Sequence, residues 1–341
     1  KCATESVRST CWGSAATKFG VPLSFSRQRS RQESLRIASG TPPVDRQSVI
    51  VKGMDILDRN APPRLEGLCG SATTAGPAPA RLHYGQGGPG IERLAADFTG
   101  PAFAPHRHDT YAIGVTLRGV QTFRYRGEQR YCLVGEGHVL HPDELHDGAG
   151  GTEEGFGYRI LYIDPALVQE ALGGRALPFV ANPVIDRKWM RPLFEQGLLD
   201  IDQPLDPCQQ VDLTLSVAHL LQRHAGTSTR LRTPLALDRL VRVRELIAAD
   251  PSVPRPLGEL ERVAGLDRWT LARQFRAAFG TSPSHFRTMR QLDRARTLVR
   301  AGATLADAAA EAGFADQSHF TRLFKRAYGL TPASWRRAIG Q

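Results

Sequence analysis

Cysteine is scarce and unpaired in this sequence. Its five cysteines, Cys2, Cys11, Cys69, Cys132 and Cys208, are odd in number, widely scattered and never in a C-x-x-C pair. Neither a disulfide framework nor a zinc site is indicated, and a reducing cytoplasm is the simpler expectation. Long apolar runs are missing too. No stretch approaches the roughly 18 residues of a membrane span, and the first residues lack the apolar core of a signal peptide, so no membrane partner is expected. What the 341 residues do have is a 41% hydrophobic composition, ample for two cores, and a net charge of +10 with pI ≈ 9.8. Charge alone does not separate nucleic acid from a membrane surface or a solvated basic face. Its distribution says more: residues 1–53 carry nine Lys/Arg against three Asp/Glu, residues 54–233 carry 17 against 21, and residues 234–341 carry 18 against 10.

Residues 1–53 are rich in Ser, Arg and Thr without helical or strand periodicity, and disorder is expected there. Met54-Asp55-Ile56-Leu57 reads like a natural start, which would make residues 1–53 upstream sequence and dispensable. Residues 54–90, with AGPAPA and GQGGPG, read as an N-terminal segment and linker. From about 91 to 163 short apolar runs such as Tyr111–Leu117, Tyr131–Val134 and Tyr158–Ile163 alternate with glycines at 119, 127, 135 and 137. That spacing predicts a small antiparallel barrel or sandwich, ending near residue 180. Trp189–Leu199 and Val211–Leu221 place apolar residues at helical intervals. Helices within 181–225 would either form a dimerisation surface or simply cover the barrel. A polar linker over 226–234 follows, and everything after Pro234 reads as helix.

The C-terminal region repeats itself. Leu257, Gly265 and Leu266 recur 48 residues later as Leu305, Gly313 and Phe314. Leu271, Arg273, Phe275, Phe279, Gly280 and Pro283 recur 49 later as Phe320, Arg322, Phe324, Tyr328, Gly329 and Pro332. Each copy reads as a short helix, a turn at a glycine able to adopt the left-handed conformation, a second helix, and a glycine stop before Ser-Pro or Thr-Pro: a helix-turn-helix. Leu271/Phe275 and Phe320/Phe324 lie four apart and face a core together, which leaves a polar outer face on each second helix. The predicted DNA-contacting set is Arg268, Trp269, Thr270, Arg273 and Arg276 in the first copy, and Asp316, Gln317, Ser318, His319, Arg322, Lys325 and Arg326 in the second. A helix over Ser284–Val299, about 24 Å long, would hold the copies near the ~34 Å spacing of successive major-groove turns.

Residues 235–338 resemble the DNA-binding domain of the AraC/XylS family of bacterial regulators, whose signature runs through Gly313-Phe314-Ala315-Asp316-Gln317-Ser318-His319-Phe320-Thr321-Arg322-Leu323-Phe324-Lys325-Arg326 to Gly329-Leu330-Thr331-Pro332. By that resemblance Trp269, Arg273, Gln317 and Arg322 fall where relatives touch DNA, and Ala272 stands where a polar base reader often sits. The middle of the chain resembles the family's cupin-like sensor. Pro105-His106-Arg107-His108-Asp109-Thr110-Tyr111 is its first motif and Pro142-Asp143-Glu144-Leu145-His146 its second. Metal-binding cupins add a glutamate shortly after the His-x-His pair, and here those positions hold Ala112 and Ile113. His106, His108, Tyr111 and His146 are the candidate effector-binding residues. The histidines, with or without His141, would gather round an organic effector, hold a metal or anion, or serve the structure alone; no cofactor is assigned.

The expected architecture is therefore a multidomain α and β chain: an antiparallel cupin-like barrel, helices after it, then an all-α double helix-turn-helix domain. The implied function is an effector-responsive, homodimeric transcription regulator that binds double-stranded DNA and a small molecule. Activation and contact with RNA polymerase follow from the resemblance alone. Two rivals are weighed: a cupin oxygenase or isomerase fused to a DNA-binding domain, which the missing glutamate disfavours, and an adaptive-response alkyltransferase, which the scattered cysteines do not support.

Overall fold

The computed structural model describes residues 81–99, 101–226 and 234–340. The expectations for residues 1–80, and for most of the 226–234 linker, lie outside the described residues. Two antiparallel sheets form the first half. The larger has the order β1-β2-β9-β4-β7-β10, with β1 Arg81–Tyr84, β2 Ile91–Phe98, β9 Phe156–Ile163, β4 Tyr111–Gly119, β7 Gly137–Leu140 and β10 Val184–Ile185. The smaller is β3-β8-β5-β6, with β3 Pro101–His106, β8 His146–Gly150, β5 Gln121–Tyr125 and β6 Glu128–Cys132. Strand β1 falls in the segment read as linker: its four residues pair with Leu94–Asp97 of β2, and so short a strand leaves little periodicity to read. The β5–β6 hairpin turns through Arg126 and Gly127, both with positive φ, as a two-residue hairpin loop requires.

Strand alternation gives the larger sheet two apolar faces. Leu94, Ala96, Phe98, Ala112, Tyr158 and Ile160 point into the space between the sheets. Tyr111, Ile113, Val115, Val139, Leu161 and Ile163 point outward, where helices cover them: α1 Pro165–Ala171, α2 Arg187–Leu193 running into a π-helical turn at Phe194–Leu198, and α3 Pro207–His224. Leu213, Val217 and Leu221 of α3 lie on this covered side, so part of α3 does the covering that the sequence left as one alternative. Val211 and Leu215 stay exposed on α3 at 58% and 37%.

The C-terminal half contains α4 Leu237–Ala249, α5 Leu257–Ala264, α6 Arg268–Phe279, α7 Pro283–Arg300, α8 Leu305–Glu311, α9 Gln317–Tyr328 and α10 Pro332–Ala338. Pairs α5/α6 and α8/α9 are the two repeat copies. Gly265, Gly280, Gly313 and Gly329 all have positive φ, between 58° and 80°, conformations that carry no steric cost for a residue without Cβ. Ser282 and Thr331 cap the helices that follow, each with a proline in the first turn. The first copy closes its core with Leu240, Val243, Leu271, Phe275, Phe279 and Phe286. The second copy closes around Met289, Leu292, Phe320, Phe324 and Trp335, and this core runs on into the space between the sheets. Helix α7 thus serves both copies, giving Phe286 to one core and Met289 to Val299 to the other.

Candidate functional site

A cavity of about 320 Å³ lies between the sheets and the second repeat copy. Its barrel walls include Leu82, Leu94, Ala112, Leu140, Ile160 and the hydroxyl-bearing Tyr158 and Tyr162. Its roof is the DNA-binding half: Met289, Arg290, Asp293 and Arg296 of α7, Ala327 and Tyr328 of α9, and Trp335 of α10.

Three of the candidate effector residues meet on one wall. His106 and His146 are cross-strand partners in the β3–β8 register, and His108, two residues beyond the end of β3, lines the same cavity. Ring centroids are 4.2 Å apart for His106–His146 and 4.9 Å for His108–His146. All three are buried. Burial disfavours their charged forms, pushing His106 well below the ordinary imidazole value, His108 to about 3 and His146 to about 4. They are neutral imidazoles at neutral pH.

Tyr111, the fourth candidate, is not brought to the cavity. The same alternation that sends Ala112 inward sends Tyr111 to the helix-covered face, where its hydroxyl donates to the Pro178 carbonyl at 3.3 Å. His141 is likewise on that side, where Nε2 accepts from the Val180 amide at 3.0 Å and the ring stacks on Phe179. The sequence reading missed His138, which lines the cavity, is 1% exposed, and has no hydrogen-bond partner at either ring nitrogen among the described residues. Burial pushes it to about 3. Gly114 makes room for it, since a Cβ there would lie 2.3 Å from the imidazole Cε1. An alternation of buried and exposed residues would have exposed His138, but Gly137–Leu140 is buried throughout. Tyr84 was missed with β1.

The cavity roof is tied to the barrel by charge and hydrogen bonds. Arg290 reaches buried Asp109 at 2.8 Å, Arg296 holds Glu92 with two bonds of 2.8 and 3.2 Å, and Trp335 Nε1 donates to the Tyr84 hydroxyl at 2.9 Å. Backbone bonds join Ala104 to Gly329 and Arg107 to Arg326. The first copy is held through Asp143, which sits at φ 62° and accepts from Arg276 at 2.8 Å with His285 at 3.2 Å. Burial pushes the Asp143 carboxyl up, but the hydrogen bonds and charges of His285 and Arg276 outweigh it and hold it below the usual value. Arg244 pairs with Asp164.

On the predicted DNA-contacting faces, Arg268, Trp269, Arg273 and Arg276 of α6 are exposed, and so are Gln317, Ser318, Arg322, Lys325 and Arg326 of α9. Trp269 is 71% exposed, an unusual state for so large an apolar side chain. Thr270 and His319 are half-buried, and Thr270 accepts from the Arg273 guanidinium at 3.1 Å. Asp316 is placed differently: its carboxylate caps α9 by accepting from the His319 amide at 2.6 Å. That gives it a helix-starting role, shared by Asp267 at the repeat-equivalent position on α6. Arg268 pairs with Glu261 at 3.5 Å and Arg276 with Asp143, so neither is a free cation here.

Comparison with known proteins places this geometry. A model of the AraC-like ligand binding domain matches residues 88–231, and a helix-turn-helix domain model matches residues 260–338. The chain is 29% identical over 254 residues to the HTH-type transcriptional activator RhaR of Escherichia coli, covering 70% of this chain and 89% of that protein. It is 25% identical over 222 residues to the HTH-type transcriptional regulator YbfI of Bacillus subtilis, covering 64% and 81% respectively. Among solved structures, unsaturated fatty acid-bound ToxT from Vibrio cholerae superimposes with a TM-score of 0.54 at 12% identity, covering 79% of this chain and 98% of that one, which is a likeness of fold. With its ligand-binding barrel followed by two helix-turn-helix copies, the chain belongs to the AraC family of helix-turn-helix transcription regulators.

Proposed function

We propose that this chain is an effector-responsive transcription activator in which a small molecule, bound between barrel and DNA-binding half, sets how the two recognition helices α6 and α9 meet DNA. The observation that carries this reading is the composition of the cavity: residues of α7, α9 and α10 form its roof, so an occupant touches both halves at once. A ligand shifts an equilibrium only by its differential contacts with the two states, and a shared cavity provides them. Arg273 and Arg322 on the outer faces are the base- or phosphate-contacting residues, helped by Trp269 and Gln317. Activation is supported by the activators among the relatives. Action in the cytoplasm as a homodimer, with contact to RNA polymerase, completes the reading. The exposed pair Val211 and Leu215 on α3 supports the dimer.

A thermal-shift screen of small polar metabolites tests it. A true effector should stabilise the wild type, by about 2.7 kcal/mol at a hundredfold excess over Kd, and should change affinity for operator DNA. It should lose both effects in Ala112→Phe, which fills the cavity, and in His138→Leu. Compounds that stabilise wild type and both variants equally would place the site elsewhere.

A further inference from the structure

The three histidines on the cavity wall share one more property. Nδ1 of His106, His108 and His146 lies 2.9 Å from the carbonyl oxygen of Ala104, Thr110 and Glu144 respectively. A carbonyl only accepts, so each Nδ1 carries the ring proton and donates it. Each neutral ring keeps a lone pair on Nε2, which no other described residue engages. Three acceptors without a donor therefore share one wall, and the nitrogens that the rings can offer lie within 4.8 Å of one another. A ligand hydroxyl brings a single proton to such a wall. A primary ammonium brings three, spread at the tetrahedral angle, and with N···N contacts of about 2.9 Å its three acceptors stand about 4.7 Å apart.

The surrounding charge also favours a cation. Glu92, Asp109, Asp147 and Asp293 line the cavity against Arg290 and Arg296, and both guanidiniums already pair with these carboxylates. The imidazoles add no charge. An incoming carboxylate or phosphate meets no free guanidinium here. Burying an ammonium is costly unless it is hydrogen-bonded and balanced by charge, and this wall with its excess of carboxylate supplies both. Leu94, Ala112, Leu140 and Ile160 leave the rest of the cavity suited to hydrocarbon.

We propose that the cavity takes a small primary amine in its ammonium form, the NH₃⁺ group donating to Nε2 of His106, His108 and His146 and a compact hydrocarbon body lying along the apolar wall. The proposal rests on the reading of this cavity as the effector site and names the chemical class of that effector.

Affinities are measured by calorimetry on the full chain without DNA, with chelator in every buffer, for matched compounds on propyl, cyclohexylmethyl and 2-phenylethyl bodies. Each body carries in turn a primary amine, a trimethylammonium, a hydroxyl or a carboxylate. The trimethylammonium keeps the charge but has no N–H, so it isolates the imidazole contacts. At least one amine should bind, one per chain, and at least tenfold more tightly than the other three compounds on its body. Its affinity should fall more than tenfold in His108→Leu and in the shape-preserving His146→Phe, with circular dichroism confirming each fold, and should stay at the wild-type value in His219→Ala, an exposed position of α3. Absence of binding by every amine, equal or tighter binding of another head group, or wild-type affinity in both folded histidine variants would overturn the proposal. The head-group comparison is made on wild type and decides even where a variant does not fold. Operator affinity is then measured with and without the bound amine. An amine that meets these criteria and leaves operator affinity unchanged would remove the effector reading and keep the amine site. A hydroxyl or carboxylate compound that binds most tightly, changes operator affinity and is lost in Ala112→Phe would keep the effector reading and overturn the amine.

Discussion

Arg273 and Arg322 occupy equivalent places, each two residues beyond a core side chain and two before another: Leu271 and Phe275 in one helix, Phe320 and Phe324 in the other. The four apolar neighbours are fully buried, so the arginines point away from both cores. If each reads a guanine with two hydrogen bonds, Arg→Ala should cost about 1–3 kcal/mol on the cognate operator and relax preference at one base pair. A phosphate clamp would instead weaken all sequences alike and lower the salt slope by about one unit. Binding selections with each variant separate the two. Trp269→Ala should behave as a surface change for folding, within about ±0.5 kcal/mol by denaturant titration, while weakening DNA binding. A large loss of stability there would mean that Trp269 packs in solution. These faces were legible in the sequence because helical periodicity assigns inside and outside directly. The cavity wall was only partly legible. His106, His108 and His146 announced themselves by motif, but Tyr111 and His138 were misjudged or missed, because which face of a strand is the inner one depends on pairings between residues far apart in sequence.

The helix ends carry the next level of organisation. Gly280 and Gly329 end the two recognition helices, and each abuts the barrel at a histidine motif. A Cβ on Gly280 would lie 2.6 Å from Pro142, and one on Gly329 would lie 2.8 Å from Phe103 and 3.0 Å from His106 Nδ1. Gly265, left-handed as well, has nothing nearer than an arginine side-chain nitrogen at 3.5 Å. Alanine at any of the three should cost about 1–2 kcal/mol for the left-handed backbone. Only Gly280→Ala and Gly329→Ala should also loosen the contact between the halves, seen as faster amide exchange or proteolysis at Ala104–Arg107 or at the Pro142 loop. Equal exchange in all three variants would contradict the docking role. The glycines and their left-handed turns were readable from the repeat, and α7 was expected within a residue of its ends. That the glycines are also docking points was not readable, since the repeat says nothing of what the helix ends touch. The segment after the barrel shows the same limit: amphipathicity showed that α3 buries one face, and only the packed structure shows that this face covers the sheet.

At the scale of the whole molecule, charged contacts join a barrel and a DNA-binding half that share the cavity. Asp143 is the most exacting of these, because its backbone is left-handed and its carboxylate faces Arg276, His285 and Arg107. A carboxyl held below its ordinary value of 3.8 contributes stability that is present above that value and lost as pH falls through the lower folded one. Asn tolerates the same backbone, so Asp143→Asn isolates the charge. The variant should be less stable than wild type at pH 5, and the margin should close as the pH drops below 3.8 and the Asp143 carboxylate takes up a proton; a margin that does not close there would show that the charge is not what matters. The proposed function puts two recognition helices on one chain under the control of one shared cavity. Footprinting of the purified full chain on selected genomic fragments tests it most directly. The expected result is protection of two major-groove segments about one helical turn apart, one lost in Arg273→Ala and the other in Arg322→Ala. Uniform binding that competitor DNA removes at every site, unchanged in both variants, would contradict it.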